Sequence, residues 1–429
     1  MSTQAAFAEV DITPPLGTKK IGWLKEIVGD SVLDPLFARA AVIQSGAAGI
    51  AFIQLDTLSI RWTTTNEIRR RIEQRCGFPG ASVMAAATHN HAGPAVATTG
   101  EVPRDDAYIE MMVSRIVDMF CAALDNLQPA EIGIASAFEW NVAHNRRVVM
   151  RDGTVQTHGR FPDPNALYIE GPIDPEVAVL AARSSNGEML GAIVNFACHP
   201  THHGPEPGFS AGFPGVLARE MKSRGCPVTL FLNGASGNIH TADPTRNGAD
   251  VEMEAAGLAL ADDVSQAMTD MSFRAAVRVG CAARTVELPF RKATEDEVRG
   301  TIRGAQRFVD PTIYDRTMPR VLERIRECGV QLAEVQALFV DDYAFVSMPA
   351  EYFVQLGLRI KEESHPRHAL VVSCANGMVG YVPHREAFLR GGYETTFTNS
   401  SRLAPEAGDL LADCAIEIIR AGCDGAVEV

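Results

Sequence analysis

The chain has 429 residues, 46% of them hydrophobic and 21% charged, which is ordinary for a globular protein. Its 39 basic and 53 acidic residues give a net charge of −14, so the charge gives no reason to expect nucleic acid or an anionic membrane as partner. No run approaches the roughly 20 apolar residues of a membrane span, and the first residues lack the basic and apolar regions of a secretory signal.

Nine cysteines are scattered along the chain, and none forms a Cys-x-x-Cys pair. Several, such as Cys198, Cys281 and Cys374, lie in apolar runs, which is typical of buried, reduced thiols. We therefore predict a cytoplasmic protein. The sequence contains no repeat, no low-complexity segment and no long polar linker, so we expect residues 1–429 to form a single domain.

Apolar runs of strand length alternate with helical patterns along the whole chain. The predicted strands are 7–13, 34–43, 49–55, 83–87, 130–140, 176–182, 189–197, 227–232, 277–289, 344–348 and 369–373. The predicted helices are 65–76, 108–127, 213–224, 251–271, most of 294–340, 353–363 and 408–421, and 152–172 is predicted to be an irregular surface loop. The pattern predicts an α/β fold of mixed sheets with flanking helices.

Polar residues stand where many of the buried strands end. These residues are Asp56, His89 with His91, His199, Asn233 with Ser236, Glu351, and Asn376 with Tyr381. In α/β sheets, ligands collect beyond the carboxyl ends of the strands. We therefore expect these six strand ends to share one cleft and to carry a metal site.

The stretch 83–94 carries the strongest chemical signal. An apolar strand breaks into Thr-His-Asn-His, and Ala-Gly-Pro then ends any regular structure. On extended backbone, His89 and His91 would point to the same side, as zinc ligands on a rigid element do. The alternative is a pair of loop histidines without a shared task.

A catalytic zinc ion usually takes three protein ligands and keeps one position open for water, whose pKa it lowers. His89, His199 and Glu351 would supply two nitrogens and an oxygen from three strand ends. Tyr381 suits a further oxygen ligand or a donor to an oxyanion. Arg146 suits a substrate carbonyl or carboxylate through its fork of donors.

Each of these residues also has a purely structural interpretation. His199 could close a strand before Pro200, Glu351 could cap the next helix, and Tyr381 could be a core ring. Ser236 lies in Gly-Ala-Ser-Gly-Asn at 234–238, which lacks the spacing of a Gly-x-Ser-x-Gly nucleophile elbow, so a serine hydrolase is disfavoured.

Taken together and in order, these motifs resemble the neutral/alkaline non-lysosomal ceramidases, in particular their N-terminal catalytic domain. The stretches that carry the resemblance are Ala-Thr-His-Asn-His-Ala-Gly-Pro at 87–94, Asn-Arg at 145–146, Pro-Ile-Asp-Pro-Glu at 172–176, Asn-Phe-Ala-Cys-His-Pro at 195–200, Asn-Gly-Ala-Ser-Gly-Asn at 233–238, Met-Pro-Ala-Glu at 348–351, Gly-Tyr at 380–381 and Tyr-Glu at 393–394. Because the chain ends soon afterwards, we expect a short form without the family's C-terminal immunoglobulin-like domain.

The resemblance implies hydrolysis of an amide bond by zinc hydroxide, with one Zn²⁺ per chain. It implies that the ligands are His89, His199, Glu351 and Tyr381. It also implies that His91 is an acid/base or substrate-positioning group and not a ligand.

The same resemblance implies that Arg146 contacts the substrate, and it places Ser236 and Asn238 beside the substrate as well. We predict a zinc-dependent amidohydrolase that acts on a smaller, more polar substrate than ceramide. The alternatives are a zinc-dependent lactonase or esterase on the same scaffold, or a catalytically degenerate binding protein. The expected partner is a small molecule, with no nucleic acid and no membrane span. The sequence leaves a homo-oligomer open.

Overall fold

Two β-sheets form the centre of the protein, and the computed structural model describes residues 2–422. In spatial order, the larger sheet contains Thr229–Asn233, Met189–Phe196, Glu176–Ser184, Gln128–Phe138, Thr3–Asp11, Phe37–Ser45, Ala48–Leu55 and Val83–Ala87, with Phe273–Arg274 paired to Gln128–Phe138. The smaller sheet contains Val279–Pro289, Val330–Val340, Tyr343–Met348 and His368–Ser373. Both sheets mix parallel and antiparallel pairs, so the predicted α/β class is confirmed.

Helices flank the two sheets. Within residues 2–422 the α-helices are α1 (Trp62–Cys76), α2 (Asp106–Asp125), α3 (Gly212–Ser223), α4 (Met253–Thr269), α5 (Glu295–Arg299), α6 (Pro311–Cys328), α7 (Val354–Glu363), α8 (Ala387–Arg390) and α9 (Ala407–Ala421). Helices α1 to α4 pack on the larger sheet, and α7 and α9 pack on the smaller one. The result is four layers in the order helix, sheet, sheet, helix.

Strands that are apolar on both faces make this layering necessary. In Phe37–Ser45, Ala40 and Val42 face the helices, whereas Ala41 and Ile43 face the second sheet. Side chains of a strand alternate between its two faces, so each apolar face needs its own partner layer.

An aromatic pair lies at the interface between the sheets. The rings of Phe52 and Phe345 meet edge to face with centroids 4.9 Å apart. Such pairs stabilise a core by about 0.5–1.5 kcal/mol beyond the burial of their area.

The helical prediction for 294–340 is wrong in its last part. Helix α6 ends at Gly329, whose φ of 67° is the left-handed conformation that favours glycine at a helix end. The chain then continues as the strand Val330–Val340. Ala337 and Phe339 face α9 while Leu338 and Val340 face the other sheet, so both faces are apolar and the period-two signal is hidden.

The predicted surface loop at 152–172 is also more regular than expected. Val155–Thr157 and Ala166–Ile169 pair with Arg147–Met150 in a small three-stranded sheet. Other short strands are Lys19–Ile21, Ile27–Val28, Ser31–Val32, Gly93–Pro94, His144–Asn145, Gly208–Phe209, Ile239–His240, Ala242–Asp243, Ala249–Asp250, Glu351–Tyr352 and Tyr381–Val382. Across residues 2–422, no helix is both long and apolar enough to cross a membrane.

The two edge strands of the larger sheet are joined just beyond their carboxyl ends. The side-chain amide of Asn233 donates to the carbonyl of Thr88 over 3.0 Å, and its oxygen accepts from the backbone N–H of Cys198. This one amide therefore links the ends of three strands. His89 and His199 directly follow Thr88 and Cys198, the two residues that this amide holds.

Candidate functional site

His89 sits in a bend directly after the strand Val83–Ala87. Its φ is 69°, so the backbone is left-handed at this residue, and the expected extended His-x-His arrangement is wrong. The bend still brings the two rings together, with Nε2 of His91 3.2 Å from Nε2 of His89. His89 Nδ1 lies 2.8 Å from the carbonyl of Leu58, and His91 Nδ1 lies 3.1 Å from the carbonyl of Gly22.

His199 approaches the same point from the strand Met189–Phe196. The ring is fully buried, and its Nδ1 lies 2.6 Å from the carbonyl oxygen of Ser236 and 3.0 Å from that of Ile239. Each of the three imidazoles therefore has Nδ1 directed at a backbone carbonyl. That arrangement fixes the tautomer and leaves the Nε2 lone pair free to accept or coordinate.

Glu351 completes the cluster from the second sheet. Its Oε2 lies 3.3 Å from Nε2 of His89 and 3.3 Å from Nε2 of His199. Helix α7 begins later, with Phe353 at its N-cap position, so Glu351 is not the cap of that helix. The parallel pairing of Glu351–Tyr352 with Tyr381–Val382 brings Tyr381 beside the carboxylate.

The spacing of these donor atoms suits a bound metal ion such as zinc. With Zn–N bonds of about 2.0 Å at tetrahedral angles, two ligand atoms lie about 3.3 Å apart. The separations of 3.3 Å from the Glu351 oxygen to the His89 and His199 nitrogens agree with that value. The nitrogens of His89, His91 and His199 all lie within 4.8 Å of one another, so geometry alone permits His91 as a ligand too.

Comparison with known proteins adds a relative and a fold. A stretch of 177 residues, 38% of this chain, is 28% identical to neutral ceramidase from Pseudomonas aeruginosa and spans 25% of that relative's length. The crystal structure of neutral ceramidase from Pseudomonas aeruginosa matches with a TM-score of 0.76 and 18% identity, covering 100% of this chain and 76% of that chain. The predicted resemblance to the neutral ceramidases is confirmed.

A second solved structure agrees with this result. A ceramidase complexed with C2 matches with a TM-score of 0.75 and 17% identity over 98% of this chain and 75% of that chain. No family model matches the chain. At these identities the solved structures establish the neutral ceramidase fold, and the sequence match covers about a quarter of the curated relative.

Burial and neighbouring charges set the ionisation of the cluster in this ceramidase-like fold. Burial lowers the pKa of His199 to about 4, with the Arg146 guanidinium adding to the effect. Burial and the other two imidazoles hold the pKa of His91 well below its usual range. Burial opposes ionisation of Glu351, but His89 and His199 outweigh it and hold the pKa of that carboxyl well below its usual range.

His89 differs from the other two imidazoles. Burial alone would lower its pKa, but the Cys374 thiol and the Glu351 carboxylate outweigh burial and raise the pKa well above its usual range. A metal ion bound at the cluster would displace a proton from this imidazole, because a histidine ligand must be neutral.

Arg146 lies beside Tyr381 and is held by a buried carboxylate. Its Nε donates to Glu394 over 2.9 Å, and its Nη2 donates to the carbonyl of Gly237 and, over 3.3 Å, to the hydroxyl of Tyr381. Glu394 is fully buried and also accepts from Arg147 Nη1 at 2.8 Å. The carboxylate therefore fixes the guanidinium that in turn holds the tyrosine hydroxyl.

Replacing Glu394 with glutamine should destabilise the fold strongly. Arg146 and Arg147 would lose the shared carboxylate, and breaking a buried pair in this way costs about 3–5 kcal/mol. Because the pKa of Glu394 falls from 4.5 to about 2 in the fold, its stabilisation is complete above pH 4.5 and is lost as the pH falls toward 2. Urea unfolding should therefore show a constant difference from wild type above about pH 5 that narrows below pH 4.5. The exposed Glu386→Gln is the control, and an equal effect there would contradict the assignment.

Ser236 and Asn238 support the site from the side away from the cavity. Neither is among the described residues that line the cavity in front of the cluster. The carbonyl of Ser236 orients His199, while the amide of Asn238 accepts from the N–H of Val354 and donates to Gln355. Direct substrate contact by Ser236 and Asn238 therefore stays a prediction, and their observed contacts are supporting ones.

A cavity of about 710 Å³ opens in front of the cluster. His89, His91, Arg146, Glu351 and Tyr381 all line it. His199 is fully buried and sits behind this surface.

Four further imidazoles line this cavity, and none of them was predicted from the sequence to belong to the site. Two of the four, His158 and His240, meet edge to face with centroids 4.7 Å apart. Burial and the charge of Arg146 lower the pKa of His158 to about 3, so its ring is neutral. His240 could have been predicted from its position two residues after Asn238, the last residue of the 233–238 motif. His158 could not, because it lies in the segment 152–172 that was predicted to be a surface loop.

Proposed function

We propose that this protein is a zinc-dependent hydrolase that cleaves an amide bond. The observation that carries the proposal is the convergence of His89 and His199 on Glu351, whose Oε2 lies 3.3 Å from both Nε2 atoms, the spacing of ligands on one tetrahedral ion. The neutral ceramidase fold and the 28% identity to a neutral ceramidase over 177 residues support amide hydrolysis as the reaction. We also propose that residues 1–429 act as one catalytic domain.

The proposed metal ligands are His89, His199, Glu351 and Tyr381. One zinc ion bound there would supply a water of lowered pKa and would polarise the substrate carbonyl. The backbone carbonyls of Leu58, Ser236 and Ile239 orient the two imidazoles for this task.

His91 is the proposed acid/base group. Its Nδ1 is anchored on the carbonyl of Gly22, and its Nε2 faces the cluster at the cavity surface. With Nδ1–H donated to that carbonyl, the lone pair is on Nε2, which can take a proton and later return it to the leaving nitrogen. The Tyr381 hydroxyl and the Arg146 guanidinium supply donors for the carbonyl oxygen as negative charge develops on it.

The cavity offers many polar groups to a substrate. Among its described lining residues are four histidines besides His89 and His91, together with Arg146, Arg160 and Asp250, next to apolar side chains such as Leu58 and Phe308. A small amide with polar substituents therefore suits it better than ceramide. Hydrolysis of a lactone or other ester remains the second candidate, because the same donors serve any acyl carbonyl. The cytoplasmic location and a homo-oligomeric state stay predictions.

Removal of the metal tests the proposal. Protein stripped with a chelator should lose hydrolysis of small amides and regain it with one equivalent of Zn²⁺ per chain, with a difference of about 10³-fold or more. Activity should be measured on an amide and a lactone of the same acid, with ceramide alongside. Hydrolysis that survives full metal removal would refute the zinc mechanism, and a preference for the lactone would favour the second candidate.

A further inference from the structure

A second cavity adjoins the one in front of the metal cluster. Its volume is about 350 Å³. Leu24, Thr99, Tyr314 and Ser400 line both cavities, so the two spaces are neighbours with a common wall. A substituent of a substrate bound at the cluster would have to pass these shared residues to enter the second cavity.

The charge of this second cavity is opposite to that of the protein. Four arginines line it, namely Arg61, Arg104, Arg320 and Arg324, and the described lining includes no aspartate or glutamate. The chain as a whole carries a net charge of −14. We call this cavity the arginine pocket.

Two of these arginines have neutral partners only. Within residues 2–422, Arg61 and Arg324 form no ion pair; both guanidinium groups lie over the ring of Trp62, at 4.8 and 5.8 Å from its centroid. Arg324 also reaches the amide oxygen of Gln331 at 3.4 Å. In contrast, Arg316 on the same helix is paired with Glu101.

A fifth arginine lies behind the pocket and adds to its positive charge. Arg402 is almost fully buried, donates to the same Gln331 oxygen at 3.0 Å, and has an Nε without a partner among the described residues. Burial and the charges of Arg324 and Arg61 lower the pKa of Arg402 to about 9, and burial with Arg324 and Arg104 lowers that of Arg61 to about 10. Arg402 is buried, and Arg61 and Arg324 are partly buried, so their mutual repulsion is costly unless an anion joins them.

We propose that the arginine pocket binds an anionic group of the substrate, such as a carboxylate, phosphate or sulfate. Guanidinium groups hold these oxyanions through paired hydrogen bonds, and the hydroxyl groups of Thr98 and Thr398 offer further donors in the pocket. The inference rests on the proposed hydrolase function and narrows the class of substrate. The substrate is an amide with an anionic substituent that reaches past Tyr314 into the arginine pocket.

A binding measurement tests the pocket without using activity. Inorganic phosphate should bind to the wild-type protein in isothermal titration, and Arg61→Gln or Arg324→Gln should each weaken it by about tenfold or more. Arg316→Gln removes the same charge from the same helix at an ion-paired site and should bind phosphate as wild type does. Phosphate affinity unchanged in both pocket variants would overturn the anion site.

A kinetic measurement tests the substrate role. An N-acyl amino acid with a free carboxylate should be hydrolysed with a kcat/KM at least about tenfold above that of its carboxamide. Arg61→Gln and Arg324→Gln should remove that preference by lowering kcat/KM for the carboxylate substrate, whereas Arg316→Gln should keep it. Inorganic phosphate should compete with the carboxylate substrate only.

The remaining outcomes separate the alternatives. Equal kcat/KM for the two substrates, or phosphate that alters kcat for the carboxamide, would overturn the substrate role and assign the pocket to a free anion. Phosphate binding that depends on Arg61 and Arg324, with no amide hydrolysed, would support the anion site and reject the hydrolase.

Discussion

Replacing His199 with alanine should remove the bound metal and the hydrolase activity together. His199 is the fully buried member of the cluster, and its Nδ1 is held by two backbone carbonyls, so no neighbouring side chain can take its place. Zinc content should fall from about one per chain toward zero. Activity should fall by about 10³-fold or more, since the Lewis acidity of the ion contributes several kcal/mol to the reaction.

Two measurements separate this loss from misfolding. The variant leaves the carbonyls of Ser236 and Ile239 without their donor, so a thermal melt and a circular dichroism spectrum should accompany the metal analysis. His368→Ala removes an exposed imidazole that stacks on Tyr343 in the second sheet, and it should keep both zinc and activity. A folded His199→Ala protein with about one zinc per chain would show that His199 is not a ligand.

The layers of the fold follow from patterns that the sequence displays openly. Runs such as Ala48–Leu55 and Thr229–Asn233 are apolar on both faces, which requires cover on both sides and predicts mixed sheets with flanking helices. The same property explains the error at Val330–Val340. A strand buried on both faces lacks the alternation of polar and apolar residues that identifies a strand. The polar residues of Val330–Val340 are spaced in a way that also fits a helix.

The site could be predicted only in part because a polar strand end has two possible uses. His89, His91, Glu351 and Tyr381 line the cavity as expected. Other strand ends serve the fold. Asp56 pairs with the buried Arg39 at 3.1 Å, and Asn376 accepts from the N–H of Ala85 and bonds to Gln336. Residue type and position are alike in both groups, and only the tertiary contacts distinguish them.

The arginine pocket could not be predicted from the sequence for a different reason. Its members come from the start of α1, the loop before α2, helix α6 and a segment near Arg402. No fixed spacing in the sequence relates these segments to one another, and an arginine on a polar helix face is normally exposed to solvent. The unusual feature is that Arg61 and Arg324 have no carboxylate partner within residues 2–422, which is a property of the folded arrangement.

Replacing His91 with alanine should abolish most of the activity and leave the zinc in place. In the proposed mechanism His91 moves a proton at Nε2 while His89, His199, Glu351 and Tyr381 hold the ion. Loss of a general acid/base group lowers the rate by about 10²–10⁴-fold. Added imidazole should restore part of this activity in His91→Ala, because the ion and the cavity remain, and it should restore none in metal-free His199→Ala. His203→Ala, at the rim of the same cavity and paired with Glu206, is the matched control.

The opposite result would change the roles of two residues. The nitrogens of His89, His91 and His199 lie within 4.8 Å of one another, so three imidazoles could hold an ion without a carboxylate. Loss of zinc in His91→Ala would establish the three imidazoles as the ligands. Glu351, whose Oε2 lies 3.3 Å from the His89 and His199 nitrogens, would then be available as the base. Metal content in Glu351→Gln then decides between the two sets. A ligand carboxylate is needed for binding, whereas a catalytic carboxylate can be lost while the zinc stays at about one per chain.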